Sequence, residues 1–247
     1  MKRVFAAFPV PFPGLWRVIV MVAMIAFVVP GAGAQPGPRV IVHYQKNLMF
    51  DLADKAAIVD DIRARAPDTV TLQEVSRANR AVLDGLKPDY PSQKLCRFRD
   101  IGGVAVASRW PMVEGSASCL EGRGVTAMQV TMPEGPVWVL SVHLETPDQP
   151  LHREMVIALA PEIAALAGPK IIGGDFNAFP LSASVRGIAR AAGVRRIGPT
   201  LTTFRPNPVI GLPIDFVLAT GAEGAAVRLP LLGSDHHGVL AEFTMRF

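Results

Sequence analysis

The chain has little of what marks a specialised architecture. Of its 247 residues only two are cysteine, two tyrosine and three tryptophan. The cysteines, Cys96 and Cys119, show no Cys-x-x-Cys spacing, which argues against a thiolate metal site. In an oxidising compartment they can close a loop with 22 residues between them, worth about 3 kcal/mol in the chain-entropy account. As two buried free thiols they would simply fill space, and the sequence leaves both readings open. There is no Lys/Arg-rich tract, no repeat and no low-complexity region. Nothing in the chain calls for a protein partner, and a monomer is expected.

Acid is also missing from the first 34 residues, which carry Lys2, Arg3 and Arg17. The 12-residue apolar run over 18–29 is short of the roughly 20 residues a spanning helix needs. Pro9, Pro11 and Pro13 oppose its extension upstream. With Ala32-Gly33-Ala34 behind it, the segment reads as a secretory signal over 1–34, cleaved after Ala34, an uncleaved anchor being the alternative. The expected location is periplasmic or secreted. Cleavage removes three of the 25 basic residues and leaves 22 against 21 acids, so the net charge falls from +4 to +1. A basic overall charge is then no argument for a nucleic-acid partner.

Half the sequence is hydrophobic, and 35–247 suffices for one large domain but not comfortably for two. Periodicity predicts helices over 52–66, 78–86, 151–166 and 181–192, with Pro161 kinking the third. Strands are expected over 39–44, 68–72, 93–98, 104–108, 112–117, 125–131, 137–143, 170–174, 214–219 and 239–245. Many short connections imply antiparallel pairing. The expectation is an α/β fold, two packed and mainly antiparallel sheets covered by helices, with strand ends converging on one rim.

Against this scarcity stand polar residues at strand ends. Gln73-Glu74, Ser141-Val142-His143-Leu144, Gly173-Gly174-Asp175-Phe176-Asn177, Ile214-Asp215-Phe216 and Ser234-Asp235-His236 each adjoin an apolar run. Gly173 and Gly174 let another chain or a ligand approach the backbone closely. If the strand continues, Asp175 and Asn177 face one pocket together; an Asx-turn would account for them equally well in isolation. A carboxylate such as Glu74 suits Mg²⁺, with Asn47 able to add an amide oxygen and Asp235 a further ligand or a hold on water. His143 and His236 can move protons if carboxylates set their charge, and Asp215 is the expected partner of His236.

This ordered set resembles the endonuclease/exonuclease/phosphatase superfamily of metal-dependent phosphoesterases, over Asn47 to His236. The resemblance implies a four-layered α/β sandwich and Mg²⁺, with Mn²⁺ able to substitute. By position it implies Glu74 and Asn47 at the metal, His143 assisting catalysis, and Asp175 with Asn177 orienting water and holding phosphate. Asp215 would support His236, beside Asp235, and Arg123 in Gly122-Arg123-Gly124 would contact phosphate. The Ser-Val-His-Leu segment is similar to the deoxyribonuclease and sphingomyelinase branches rather than to exonuclease III. Neither Tyr44 nor Tyr90 matches the family's catalytic tyrosine, and His237-Gly238 stands where Arg-Pro is frequent. A phosphodiester substrate is expected, nucleic acid ahead of phospholipid or inositol phosphate, with Arg97, Arg99, Arg109 and Arg123 as a phosphate-binding rim. A catalytically silent binding module would have lost one of these motifs, and none of the central ones is lost.

Overall fold

Side chains alternate along a strand, and here the alternation sorts the chain into layers. The computed structural model describes residues 39–120 and 122–245; the leader expected over 1–34 lies outside them. In chain order β1 (Ile41–Asn47) leads through α1 (Lys55–Arg65) to β2 (Thr69–Val75), then to α2 (Arg80–Leu86), β3 (Ser92–Arg97) and β4 (Gly103–Ser108). Next come β5 (Ser118–Leu120), β6 (Val125–Met132) and β7 (Gly135–His143), from which α3 (Pro150–Ala165) crosses to β8 (Lys170–Asp175). The rest is α4 (Ala183–Ala192), β9 (Val194–Arg196), β10 (Asp215–Thr220), β11 (Glu223–Arg228) and β12 (Val239–Thr244).

The strands form two six-stranded sheets, ordered β11-β12-β1-β2-β4-β3 and β5-β6-β7-β8-β10-β9. The two orders follow one plan. Each sheet has a single parallel pair, β1 with β2 and β7 with β8, joined by a crossover helix, and all its other pairs are antiparallel. A parallel pair needs such a crossover, which places α1 and α3 on the sheets' outer faces.

On β7, Val137 and Val139 join an apolar cluster with Ile41, Val106, Ile171 and Val217, between the sheets. Their neighbours Leu140 and Val142 pack with Met155, Leu159 and Ile188 of α3 and α4. On the other sheet Tyr44, Val70 and Leu72 pack with Ile58, Ile62 and Val82 of α1 and α2. The result is helices, sheet, sheet, helices, the four-layered α/β sandwich.

Toward the C-terminal ends of the parallel pairs, the between-sheet layer turns polar. His43, Gln45, Thr71, Gln73, Ser141 and Asp215 are all buried there. They bond to one another, Gln45 Oε1 alone lacking a partner: Gln45 Nε2 donates to Gln73 Oε1 at 2.8 Å and to Asp215 Oδ1 at 3.2 Å, and Gln73 Nε2 donates to Ser141 Oγ at 3.0 Å. A buried polar network of this kind is tolerable because most of its polar atoms are paired. Gly173 makes room for it, since a Cβ there would lie 2.4 Å from His43 Nε2 and 2.3 Å from Thr71 Oγ1.

Three expectations are corrected. Of the strand foreseen over 112–117 only an isolated antiparallel bridge forms, Met112 with Val130; a turn follows, stabilised by Ser116, whose hydroxyl donates to Val113 O and accepts from Gln129 N at 3.1 Å, and the strand begins at Ser118. β1 does not stop at Tyr44 but continues through Gln45, Lys46 and Asn47, because the seam supplies their partners. β9 and β11 were not foreseen, the first being three residues long and the second mostly exposed and built largely of small residues. Cys96 and Cys119 are disulfide-bonded, joining β3 of one sheet to β5 of the other.

Candidate active site

The rim where β1, β2, β7 and β8 end carries the polar motifs. Register brings them together: Asn47 pairs with Gln73 across β1 and β2, and His143 with Asp175 across β7 and β8. The two pairs even end alike, Leu48 N donating to Gln73 O at 3.1 Å and Leu144 N to Asp175 O at 3.0 Å. Asp215 lies opposite Asp175 in the antiparallel β8–β10 pair.

Glu74 reaches this rim through an irregularity. Regular alternation would send it to the helix face with Leu72. Between Leu72 and Val75 the pairing with β4 slips by one residue, and Glu74 adopts a left-handed φ of 54°. A bulge re-aims a side chain in this way, at a cost the surroundings must offset. Asn79 offsets it, its Nδ2 donating to Glu74 O at 3.0 Å and Met49 O at 2.8 Å.

The site is a cavity of about 280 Å³ lined by Glu74, His143, Asp175, Asn177, Asp235 and His236, among others. His236 Nδ1 and Asp215 Oδ2 are 2.9 Å apart, both buried. Its Nε2 lies 3.8 Å from Asp175 Oδ2, and His143 Nε2 lies 3.7 Å from the same oxygen. Asp175 thus sits between two imidazoles, too far from either for a direct hydrogen bond and with its other oxygen engaged by Asn177 N at 2.9 Å.

The charges follow from burial and neighbours. Burial pushes the Asp175 carboxyl above the ordinary carboxylate range, and the nearby charge of Asp215 adds to it. For His236 burial opposes the charge, but Asp215 and Asp175 outweigh it and the imidazole is pushed up to about 10. The group therefore holds a proton between carboxylates at neutral pH.

The expected extended run from Asp175 to Asn177 is not found. Asn177 has φ 45°, and its Nδ2 donates to Leu144 O at 2.8 Å; the backbone turns after β8, though both side chains still line the cavity. Asp235 is exposed at the mouth. Ser234 ties its turn to β1, donating from Oγ to Asn47 O at 2.8 Å, and buried Lys46 donates from Nζ to His236 O at 2.8 Å. Arg123 stands apart, its guanidinium paired with Glu162 of α3. Arg109 follows β4 at the sheet's other end, where its backbone N–H donates to Asp68 O at 3.3 Å, so it is not part of this rim.

Sequence reasoning missed the residues that hold the two rings. Phe204 stacks on His236 with centroids 4.5 Å apart, and Phe98 meets His143 edge-on at 5.8 Å. Thr203 accepts the Asp215 N–H at 3.1 Å. No local pattern marks these three; only the fold brings them here.

Two donor sets deserve comparison for a cation. Asp175, Asp215 and His236 offer ligand atoms within 4.8 Å of one another. Asp215 and His236 already use each other, however, and a cation there would break their hydrogen bond. The better fit is one step away, where Asn47 Nδ2 sits between Glu74 Oε1 at 3.0 Å and Asp175 Oδ2 at 3.1 Å. Two carboxylate oxygens converge on one amide, and turning that amide would present its oxygen instead, at the expense of the bond that Oδ1 now accepts from Met49 N at 3.0 Å. That all-oxygen set suits Mg²⁺ or Mn²⁺.

A family model described as endonuclease/exonuclease/phosphatase matches residues 45–236, and the chain belongs to that family of phosphoester hydrolases. No curated protein matches the sequence. Among solved structures, an endonuclease/exonuclease/phosphatase from Beutenbergia cavernae is 22% identical with a TM-score of 0.64, over 84% of this chain and 72% of its own. TDP2 of D. rerio, complexed with single-strand DNA product, is 17% identical with a TM-score of 0.67, over 83% and 99%. Sphingomyelinase C from Streptomyces griseocarneus is 16% identical with a TM-score of 0.60, over 83% and 99%. At these identities the likeness is one of fold.

Proposed function

We propose that the chain is an exported, divalent-metal-dependent phosphodiesterase acting on nucleic acid. The observation that carries the reading is Asp175 Oδ2 poised between the Nε2 atoms of His143 and His236, at 3.7 and 3.8 Å, with Asp215 fixing the second ring. Asp175, His143 and His236 line one wall of the 280 Å³ cavity, where a phosphate and a water can meet all of them. Asp175, between the two imidazoles, orients the attacking water and takes its proton. His236, held protonated, pairs with a phosphoryl oxygen, and His143 gives a proton to the leaving oxygen. Asn177 and the Asp235 side chain bound the phosphate and water positions. Glu74, Asn47 and Asp175 would hold Mg²⁺ or Mn²⁺, which supplies Lewis-acid polarisation of the phosphoryl group.

Export is supported by the basic, apolar and small-residue sequence of 1–34 and by the Cys96–Cys119 disulfide. N-terminal sequencing of the protein recovered outside the cytoplasm should begin at Gln35. Phospholipid is the second reading, favoured by Ile101, which is 39% exposed and lines the cavity.

The purified protein should hydrolyse bis-(p-nitrophenyl) phosphate, lose that activity on chelation and regain it with Mg²⁺ or Mn²⁺. Turnover that survives complete chelation sinks the metal mechanism, and no turnover under any condition favours a silent binding module. Plasmid DNA, sphingomyelin and inositol phosphates assayed side by side decide the substrate. DNA left intact while a lipid is cleaved overturns the nucleic-acid reading.

A further inference from the structure

A second cavity, of about 300 Å³, lies directly behind the wall of the first and is lined by Arg77, Arg80, Arg97 and Arg99. One turn separates the two. Phe98 and Ile101 line the carboxylate–imidazole cavity and Arg97, Arg99 and Asp100 the arginine cavity; the same three residues also meet Phe98, Gly122 and Leu151 around an open hollow beside them. At the end of β2 the same division falls between Glu74, which lines the first cavity, and Val75 with the following Ser76 and Arg77, which line the second. Gly102, at φ 135°, lets this wall close, since a Cβ there would lie 2.7 Å from Ser76 N and 2.8 Å from the carbonyl carbon of Glu74.

We propose that the arginine cavity holds a second phosphate of the substrate, a phosphodiester next to the scissile one on the same strand. The inference rests on the phosphodiesterase reading above. Among the described residues, Arg77, Arg80 and Arg97 have no carboxylate within ion-pair distance; Arg99 pairs with Glu145. Asp100 is the only acid against four arginines in the lining, so the cavity carries uncompensated positive charge. Guanidinium groups present forked donors that match phosphate oxygens. A substrate with a single phosphodiester spends its one negative charge in the first cavity and leaves the second without a role. A strand with a phosphate at every nucleotide fills both. The placement also offsets the repulsion a polyanion meets from Glu74, Asp175 and Asp235.

The test compares the purified chain with its Arg77→Ala/Arg97→Ala variant on the oligonucleotide dT12 and on bis-(p-nitrophenyl) phosphate. The loss in kcat/KM on dT12 should exceed the loss on the small diester by at least about tenfold, as expected for charge-assisted contacts, and should appear chiefly in KM. The salt slope of kcat/KM on dT12 should weaken by about 0.7 for each arginine removed. Equal losses on both substrates, or a larger loss on sphingomyelin vesicles than on dT12, overturn the proposal. If the unmodified chain cleaves no phosphodiester at all, the functional reading has failed and the cavity is judged by binding alone. Fluorescein-labelled dT12, without metal, should then bind in a salt-dependent way that the variant weakens; unchanged binding overturns it.

Discussion

The side chains with most to lose at this site are those that act through a neighbour. Asp215 lies at the buried end of the dyad with His236, where its carboxylate fixes which imidazole nitrogen faces the cavity. Asp215→Asn preserves shape but offers an amide where a carboxylate held the proton. Its kcat should fall at least about 100-fold, with little change in KM and none in the far-ultraviolet spectrum. Near-normal turnover would remove Asp215 from the mechanism. His43 makes a different prediction, about stability. Its ring nitrogens meet Thr69 Oγ1 at 2.7 Å and Thr71 Oγ1 at 3.0 Å, with no carboxylate partner, and burial pushes its pKa down from 6.5 to about 3. The unfolded chain therefore binds the proton that the folded chain refuses. The neutral ring's contribution is complete above pH 6.5 and is lost as pH falls toward 3. Between pH 6 and 4 this site should cost about 1.4 kcal/mol per pH unit. Urea unfolding of the parent and of His43→Gln across that range should show the variant's slope shallower by that amount, and parallel slopes would refute the account.

At the scale of elements, the two sheets are joined covalently at their edges. The disulfide from β3 to β5 closes a loop with 22 residues between its ends, and β4 lies inside that loop. Replacing both cysteines by serine should lower stability by about 3 kcal/mol, read as a fall in the urea midpoint, with the site chemistry unchanged. A change under about 1 kcal/mol would mean that the apolar layer alone fixes that edge. This bond illustrates what sequence could and could not carry. The cysteines were visible, but their pairing depends on two short strands from different sheets meeting in space. Strands such as β4 and β8 were legible because apolar runs need no partner information to be read. The end of β1 was not, since Gln45, Lys46 and Asn47 look like surface residues until Gln73, His236 O and Glu74 are known to satisfy them. Glu74 itself was legible as a residue but not as a bulge. Asp175, Asp215 and His236 were found because charged types abut apolar runs, whereas Phe98, Thr203 and Phe204 carry no such contrast.

For the whole molecule, the shared plan of the two sheets has a consequence for how the halves stay together. The cation donors are split between them, Asn47 and Glu74 ending strands of one sheet and Asp175 ending a strand of the other. Asn47 already spans that seam, reaching Glu74 and Asp175 with one amide nitrogen. A divalent ion in this place would relieve the repulsion of carboxylates facing each other across the seam and would tie both sheets to one centre. It would bind the folded chain and not the unfolded one, in which Asn47 and Asp175 are separated by 128 positions of sequence. Mg²⁺ at 100 times its dissociation constant should therefore stabilise the protein by about 2.7 kcal/mol, visible as a rise in Tm that chelation reverses. Glu74→Gln and Asp175→Asn come from opposite sheets, and each should remove most of that rise, while His143→Ala should leave it in place. A rise that survives Glu74→Gln but vanishes with Asp215→Asn would move the ion to the triad of Asp175, Asp215 and His236. No rise in the parent protein at saturating Mg²⁺ would mean that the seam holds no metal.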